Sequence, residues 1–324
     1  MTSVLVLGGA GYIGSHCCKA LAADGFKPVV YDNLSTGHSS FVKWGPLLQG
    51  DIRDRDRLSS VLAEVNPIAV MHFAALALVG PSMRDPGSYY DVNVVGTLRL
   101  LEAMRENGIE YLVFSSTCAV YGEPEAVPLT EEIPRRPVNP YGASKLACEV
   151  MMDDFGVAYG MKSMRLRYFN AAGADPDCDV GERHDPETHL VPLVIEAALG
   201  RRPKLEVFGS DYPTPDGTAV RDYIHVTDLA AAHVAALNYL LNGGETQAIN
   251  LGTGQGASVG DVIRVVEAAT GLSVPRCFAP RRAGDPAILV ADPAKARSLI
   301  GWQATRDLSS IVRDAHEWHR RQNL

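Results

Sequence analysis

The sequence predicts an α/β protein: a doubly wound parallel sheet followed by a smaller C-terminal α/β domain. Three observations carry that expectation. Short apolar runs alternate with helix-length amphipathic stretches, the pattern of a parallel sheet with helices on both faces. The first run, Val4-Leu5-Val6-Leu7, opens directly onto a glycine-rich turn, Gly8 to Gly14. Beyond Asn170 the composition shifts towards Gly, Pro, Asp and His, which marks a boundary.

The first thirty residues organise the rest. Glycines 8, 11 and 14 recur at three-residue spacing, a helical pattern runs from Tyr12 to about Ala23, and Pro28–Tyr31 is a second strand ending on Asp32. Glycines let the backbone lie against a pyrophosphate, and the helix N-terminus offers free N–H groups and the positive end of a dipole. Asp32, eighteen positions after Gly14, is placed to accept hydrogen bonds from an adenosine ribose. It would repel a 2′-phosphate, and Asn33 rather than Arg or Lys follows it, so the cofactor expected is NAD rather than NADP. The sheet is thus expected to be Rossmann-like.

Residues 33–46 read as a loop, 47–49 as a strand and 54–64 as a helix. Residues 68–73 are the next strand, and a loop carrying Pro81 and Pro86 leads to a helix over 88–106. Strands are expected at 111–115 and 164–169, with a helix over 141–159 between them. Val226–Leu241 predicts a helix capped by Thr227 or Asp228, and Ala248–Leu251 a strand. The domains expected are 1–170, with 226–252 returning to it, and 171–225 with 253–324. Helices 88–106 and 141–159 carry apolar faces broader than one contact with a sheet can use, so a homodimer through them is expected.

A net charge of −8 with no long basic cluster gives no support to nucleic-acid binding. No run is long enough to span a bilayer and no leader is evident, so no membrane partner is expected and the location expected is cytoplasmic. Six scattered cysteines read as reduced thiols. No metal is expected: His184 and His189 stand in a Pro/Asp/Gly-rich stretch without cysteines or acids at recognisable ligand spacing.

Tyr141 and Lys145 lie four residues apart, on one face of a helix. A tyrosine serves as a base near neutral pH only if its anion is stabilised. A fixed ammonium, with a nicotinamide cation, supplies that and should lower the phenol pKa. Thr117, just beyond a strand end, can lend a hydroxyl to the same substrate oxygen.

These residues, and motifs along almost the whole chain, carry a resemblance. They are Gly8–His16 with Asp32-Asn33, Gly50-Asp51-Ile52, His72–Ala75, Phe114–Gly122, Tyr141–Lys145 and Arg167–Asn170. They continue through Val207–Gly209, Asp211–Thr214, Val220–Val226, Asn250–Gly252 and Ala279–Asp285. The chain resembles the extended short-chain dehydrogenase/reductase family, in its nucleotide-sugar 4-epimerase branch.

That resemblance implies a retained NAD and a UDP-sugar substrate. Tyr141 would exchange a proton with the sugar 4-hydroxyl, with Thr117 and Lys145 as its catalytic companions. The cofactor-binding residues it implies are Gly8, Gly11, Tyr12, Ile13, Gly14, Asp32, Asn33, Asp51, Ile52, Phe73, Ala74, Ala75, Asn93, Ser115, Tyr141, Lys145 and Tyr168. For the substrate it implies Thr117, Tyr141, Phe169, Asn170, His189, Leu190, Val207, Phe208, Arg221, Arg282 and Asp285. Two guanidiniums suit a diphosphate, which takes charge-assisted bidentate contacts.

Three positions depart from the family pattern. Ala77 stands where some relatives have a lysine that reaches the cofactor phosphate, and His189 where many have Asn. Leu289 replaces a tyrosine that narrows the sugar pocket in some relatives, so 2-acetamido sugars are expected to enter too. A 4,6-dehydratase needs Asp-Glu after the threonine, where this chain has Cys118-Ala119. A UDP-arabinose/UDP-xylose epimerase differs only in substrate, and an NAD-sensing regulator would need no Tyr/Lys pair.

Overall fold

The computed structural model of the chain describes residues 2–124, 126–282 and 285–322. Strand β1 (Ser3–Leu7) runs into the glycine turn, and helix α1 (Tyr12–Ala23) leaves it with Gly11 as N-cap. Strands β2 (Lys27–Asp32) and β3 (Leu47–Gln49) follow. Helix α2 (Arg55–Val65) is capped by the Asp54 carboxylate, which accepts from Arg57 N, and stops at Asn66 in the left-handed conformation. Strand β4 (Ala69–His72) comes next.

The stretch after β4 corrects the sequence expectation. Pro81 and Pro86 predicted a loop, yet α3 (Val79–Arg84) and α4 (Pro86–Tyr89) are helical. Each proline lies in a first turn, where a missing N–H costs nothing. Residues Tyr90–Val95 wind as a π-helix before α5 (Gly96–Glu106), so the expected 88–106 helix is not a regular α-helix throughout. Asn93 lies within this π segment and is buried, the kind of local irregularity found at functional sites.

Strand β5 (Tyr111–Thr117) leads by a long connection to α6 (Pro140–Tyr159), whose N-cap Asn139 accepts from Gly142 N. Strands β6 (Lys162–Tyr168) and β7 (Asn170–Ala172), helix α7 (Leu190–Ala198) and strands β8 (Leu205–Phe208), β9 (Val220–Arg221) and β10 (Tyr223–His225) follow. Helix α8 (Val226–Leu241) has the expected bounds but a different cap. The His225 ring, not Thr227 or Asp228, accepts from Thr227 N. Asp228 instead turns inward to hold Thr305 and Arg306. The chain continues through β11 (Gln247–Leu251), β12 (Ala257–Ser258), α9 (Val259–Thr270), β13 (Arg276–Ala279), β14 (Ile288–Leu289), α10 (Ala294–Ile300) and α11 (Leu308–Arg321). Ala283 and Gly284 of the Ala279–Asp285 motif lie outside the described residues.

Seven strands form one parallel sheet in the order β11-β6-β5-β4-β1-β2-β3. Its two faces are both buried, and β1 shows why. Val4 and Val6 enter a core completed by Leu229, Leu237 and Leu240 of α8, while Leu5 and Leu7 enter another with Leu58, Leu100 and Leu101 of α2 and α5. A separate apolar cluster joins α7, β8, α9 and α11 through Val194, Val207, Val266 and Ile311.

Candidate active site

The strand order reverses between β1 and β4, and a parallel sheet opens a crevice beyond its carboxyl ends at such a point. The glycine turn sits there and is sterically committed. A Cβ on Gly8 would stand 2.6 Å from Ala74 N, and one on Gly14 would stand 2.2 Å from Gly8 O. Gly8 also has φ +76°. No side chain caps α1, so its first amides are available to an anion. Asp32 is nearly buried at the end of β2, its two oxygens accepting from Ala10 N and Leu34 N at 3.0 and 2.8 Å. Burial pushes its pKa up, and the two backbone donors hold it down in part. A glycine cradle, an uncapped helix start and an acid at the next strand end fit an adenine dinucleotide.

Of the other predicted cofactor residues, Ile52 is buried and Phe73, Ala74 and Ala75 border the crevice half-buried. Tyr12 donates to Gly173 O at 2.6 Å, and Ile13 packs against the sheet core. Asp51 is engaged by Arg53 at 2.8 Å and by Asn33 Nδ2 at 3.0 Å, which lowers its pKa. Asn93 is already spent on the protein. Its amide nitrogen donates to Leu76 O and Ser144 Oγ and its oxygen accepts from Leu76 N. It therefore clamps the loop after β4 onto α6.

Tyr141, Lys145 and Thr117 converge beside this crevice because α6 packs along β5. Lys145 is buried and donates to Ser115 O at 2.9 Å, with its ammonium 4.6 Å from the Phe114 ring centre. Burial lowers its pKa to about 8. The Ser115 and Tyr168 hydroxyls share a short hydrogen bond next to it. Burial pushes the Tyr141 phenol well up, while Thr117, within reach of that phenol, pulls it down. The sequence expectation of a lowered phenol pKa counts a nicotinamide cation beside the ammonium; in the polypeptide alone, desolvation outweighs Thr117.

The predicted substrate residues separate into two groups. Phe169 joins Val120, Tyr121 and Ala291 in a small cluster with Leu289 packed against it. Leu289 is the ladder partner of Arg221. Arg221 pairs with Asp285, and the Arg282 guanidinium lies 4.0 Å from the centre of the Phe208 ring. Asn170 lies at the start of β7 and Leu190 at the start of α7. Val207, by contrast, is core, 1% exposed. His189 is engaged elsewhere: its Nδ1 lies 2.7 Å from Glu182 Oε1.

Sequence reasoning missed the polar network behind the site. Arg167 forks onto the fully buried Glu149 at 2.9 and 2.6 Å and reaches Tyr121 at 2.9 Å. Tyr121 donates to Asn250 at 2.6 Å, and Ser116 donates to Glu149 at 2.6 Å. A glutamate four residues after Lys145, on a helix otherwise apolar there, was the available signal.

The model of the NAD dependent epimerase/dehydratase family matches residues 4–252. The chain belongs to that family. A UDP-glucose 4-epimerase of Rhizobium meliloti (strain 1021) is 55% identical over 321 residues, covering 99% of this chain and 98% of the relative. The crystal structure of UDP-glucose 4-epimerase from Brucella ovis in complex with NAD superposes with a TM-score of 0.96 at 52% identity, covering 98% of each chain. A UDP-glucose-4-epimerase from Stenotrophomonas maltophila with bound NAD and formylated UDP-arabinopyranose gives a TM-score of 0.97 at 41% identity, covering 100% of this chain and 99% of that one.

Proposed function

We propose that the chain is an NAD-dependent isomerase that interconverts UDP-glucose and UDP-galactose at C4 through a 4-keto sugar. The observation that carries this is the meeting of Tyr141, Thr117 and Lys145 beside the glycine cradle, with Arg221 and Asp285 on the substrate side. Bound NAD supplies the hydride acceptor and donor at C4. Tyr141 removes the 4-hydroxyl proton and later returns it, and Thr117 holds the same oxygen. The elevated phenol pKa of the polypeptide must be overcome by positive charge arriving at the site, which ties deprotonation to the oxidised cofactor. Lys145, fixed by Ser115 O, positions the ribose hydroxyls and the phenol. Arg221 and Arg282 hold the diphosphate, so the sugar can turn while the nucleotide stays in place.

The division we propose is 1–170 with 226–252 for the cofactor, and 171–225 with 253–324 for the nucleotide sugar. The parallel pairing of β11 with β6 supports it. Leu289, with no hydroxyphenyl group beside Phe169, supports entry of 2-acetamido sugars. A homodimer through the 88–106 and 141–159 helices is supported by exposed apolar side chains on both, Tyr90 and Val95 on the first and Val150, Val157 and Tyr159 on the second, with Val157 93% exposed. Among the described residues no helix is long and apolar enough to cross a membrane. We also propose a cytoplasmic site of action.

The test is to incubate purified protein without added cofactor separately with UDP-galactose, UDP-N-acetylgalactosamine and UDP-arabinose, beside the Tyr141→Phe variant. UDP-glucose forming from UDP-galactose, and slowing about 10²–10⁴-fold in the variant, is expected. Undiminished inversion by Tyr141→Phe overturns the mechanism. Inversion of the pentose alone overturns the substrate.

A further inference from the structure

Four side chains that take no part in the proton chemistry converge between β7 and α7. Glu182, His184, Glu187 and His189 each offer one ligand atom, and these four atoms lie within 4.8 Å of one another. Glu182 Oε1 is 2.7 Å from His189 Nδ1 and 3.4 Å from His184 Nδ1. Glu187 closes the opposite side with both of its oxygens, Oε1 3.4 Å from His189 Nδ1 and Oε2 3.7 Å from His184 Nδ1. A tetrahedral cation with bonds of about 2.0–2.2 Å to N and O needs ligand atoms roughly 3.3–3.6 Å apart. Three of the four separations are close to that edge. The fourth is shorter and opens with the His189 ring, which is the most exposed of the four side chains.

A second observation points the same way. Glu182 is 2% exposed, and its Oε1 and the His184 Nδ1 are buried atoms without an aligned hydrogen bond, although the oxygen faces His189 Nδ1 at 2.7 Å and His184 Nδ1 at 3.4 Å. A buried carboxylate oxygen facing ring nitrogens without an aligned N–H is poorly satisfied, and a cation taking the place of the ring protons is held by all three atoms. The ligands are also held from behind. Glu187 accepts from Thr188 N at 2.7 Å and His189 N at 2.9 Å, and the Glu182 carbonyl accepts from Trp318 Nε1 at 2.8 Å. The nearby Asp175, Asp177 and Asp179 differ: the Lys19 ammonium already occupies the space between them, 2.7–2.9 Å from one oxygen of each.

We propose that Glu182, His184, Glu187 and His189 bind one first-row divalent cation of the zinc class. Two imidazoles with two carboxylates suit such an ion better than Mg²⁺ or Ca²⁺, which take oxygen ligands. Bound there, the ion clamps the start of α7 and braces Tyr12, whose ring meets the His184 ring edge-on at 6.3 Å. The proposal departs from the sequence expectation of no metal. The pattern Glu-x-His-x-x-Glu-x-His becomes a ligand set only when the loop folds back on itself.

The test uses tag-free full-length protein stripped with a chelator and titrated with Zn²⁺ alone, then with Co²⁺ as a spectroscopic probe. One equivalent of Zn²⁺, a raised Tm and intense visible absorption from tetrahedral Co²⁺ are expected. His184→Gln and Glu187→Gln should weaken binding by at least the ~10–100-fold that outer-shell changes cost. No uptake overturns the proposal and leaves two imidazolium–carboxylate pairs. Unchanged affinity in both variants also overturns it, by placing the ion elsewhere. Should a variant not fold, acylation of the wild-type imidazoles by diethyl pyrocarbonate replaces it. Zn²⁺ must then protect His184 and His189, and absence of protection sinks the proposal.

Discussion

Lys145 sits in the apolar interior with one fixed partner, the Ser115 carbonyl, which its ammonium reaches at 2.9 Å. The arrangement costs stability and aims the charge at the end of β5. Its pKa is about 8, against 10.5 for an ordinary lysine. Between those pH values the unfolded chain binds the extra proton, so this group makes stability rise with pH from about 8 to 10.5 and contributes no slope below 8.

A Lys145→Met variant lacks that rise. The stability difference between wild type and variant, read from urea midpoints on cofactor-free protein, should change by about 3 kcal/mol between pH 7 and pH 10.5. Its kcat should fall on the order of 100-fold or more, because the group proposed to position the phenol and the cofactor ribose is gone. Parallel pH–stability curves would show that the lysine is not buried as described.

Arg221 and Asp285, sixty-four residues apart, pair with each other across the substrate side. In the function proposed above, the guanidinium is in place before the diphosphate arrives and exchanges one anionic partner for another. Arg221→Met should raise KM for UDP-galactose by roughly 10–150-fold, the loss of about 1.5–3 kcal/mol of charged hydrogen bonding, with kcat less affected. A kcat loss with unchanged KM would move Arg221 out of the binding role.

Glu149 is held by Arg167 through two hydrogen bonds in the interior. Burial works to raise its pKa, and the Arg167 hydrogen bonds and charge outweigh that and lower it. Its contribution is thus present above the ordinary carboxyl range and disappears as pH falls through the depressed pKa. Glu149→Gln should cost about 3–5 kcal/mol at pH 7 by leaving a buried guanidinium uncompensated. Urea unfolding with an unchanged m-value measures it.

Val157 is 93% exposed on α6, an orientation that water does not favour for a valine. Val157→Glu should halve the mass seen by light scattering at micromolar concentration while the circular dichroism spectrum stays the same. A wild-type mass already monomeric at that concentration refutes the homodimer.

Much of this protein was settled by the sequence alone. The strand, glycine turn and helix from Ser3 to Ala23, the acid at Asp32, and the Tyr141 and Lys145 spacing are local patterns, and local backbone chemistry decides them. The one wrong loop and the one wrong cap were also local, where first-turn prolines and a histidine cap imitate other signals. Tertiary structure alone decided the rest. It brought Arg221 to Asp285 and Arg167 to Glu149, and it gathered Glu182, His184, Glu187 and His189. It also buried the Tyr141 phenol, which raises its pKa in the polypeptide alone. The physical reason is common to all four. Desolvation and charge pairing depend on what packs around a group, and spacing along a chain does not specify that.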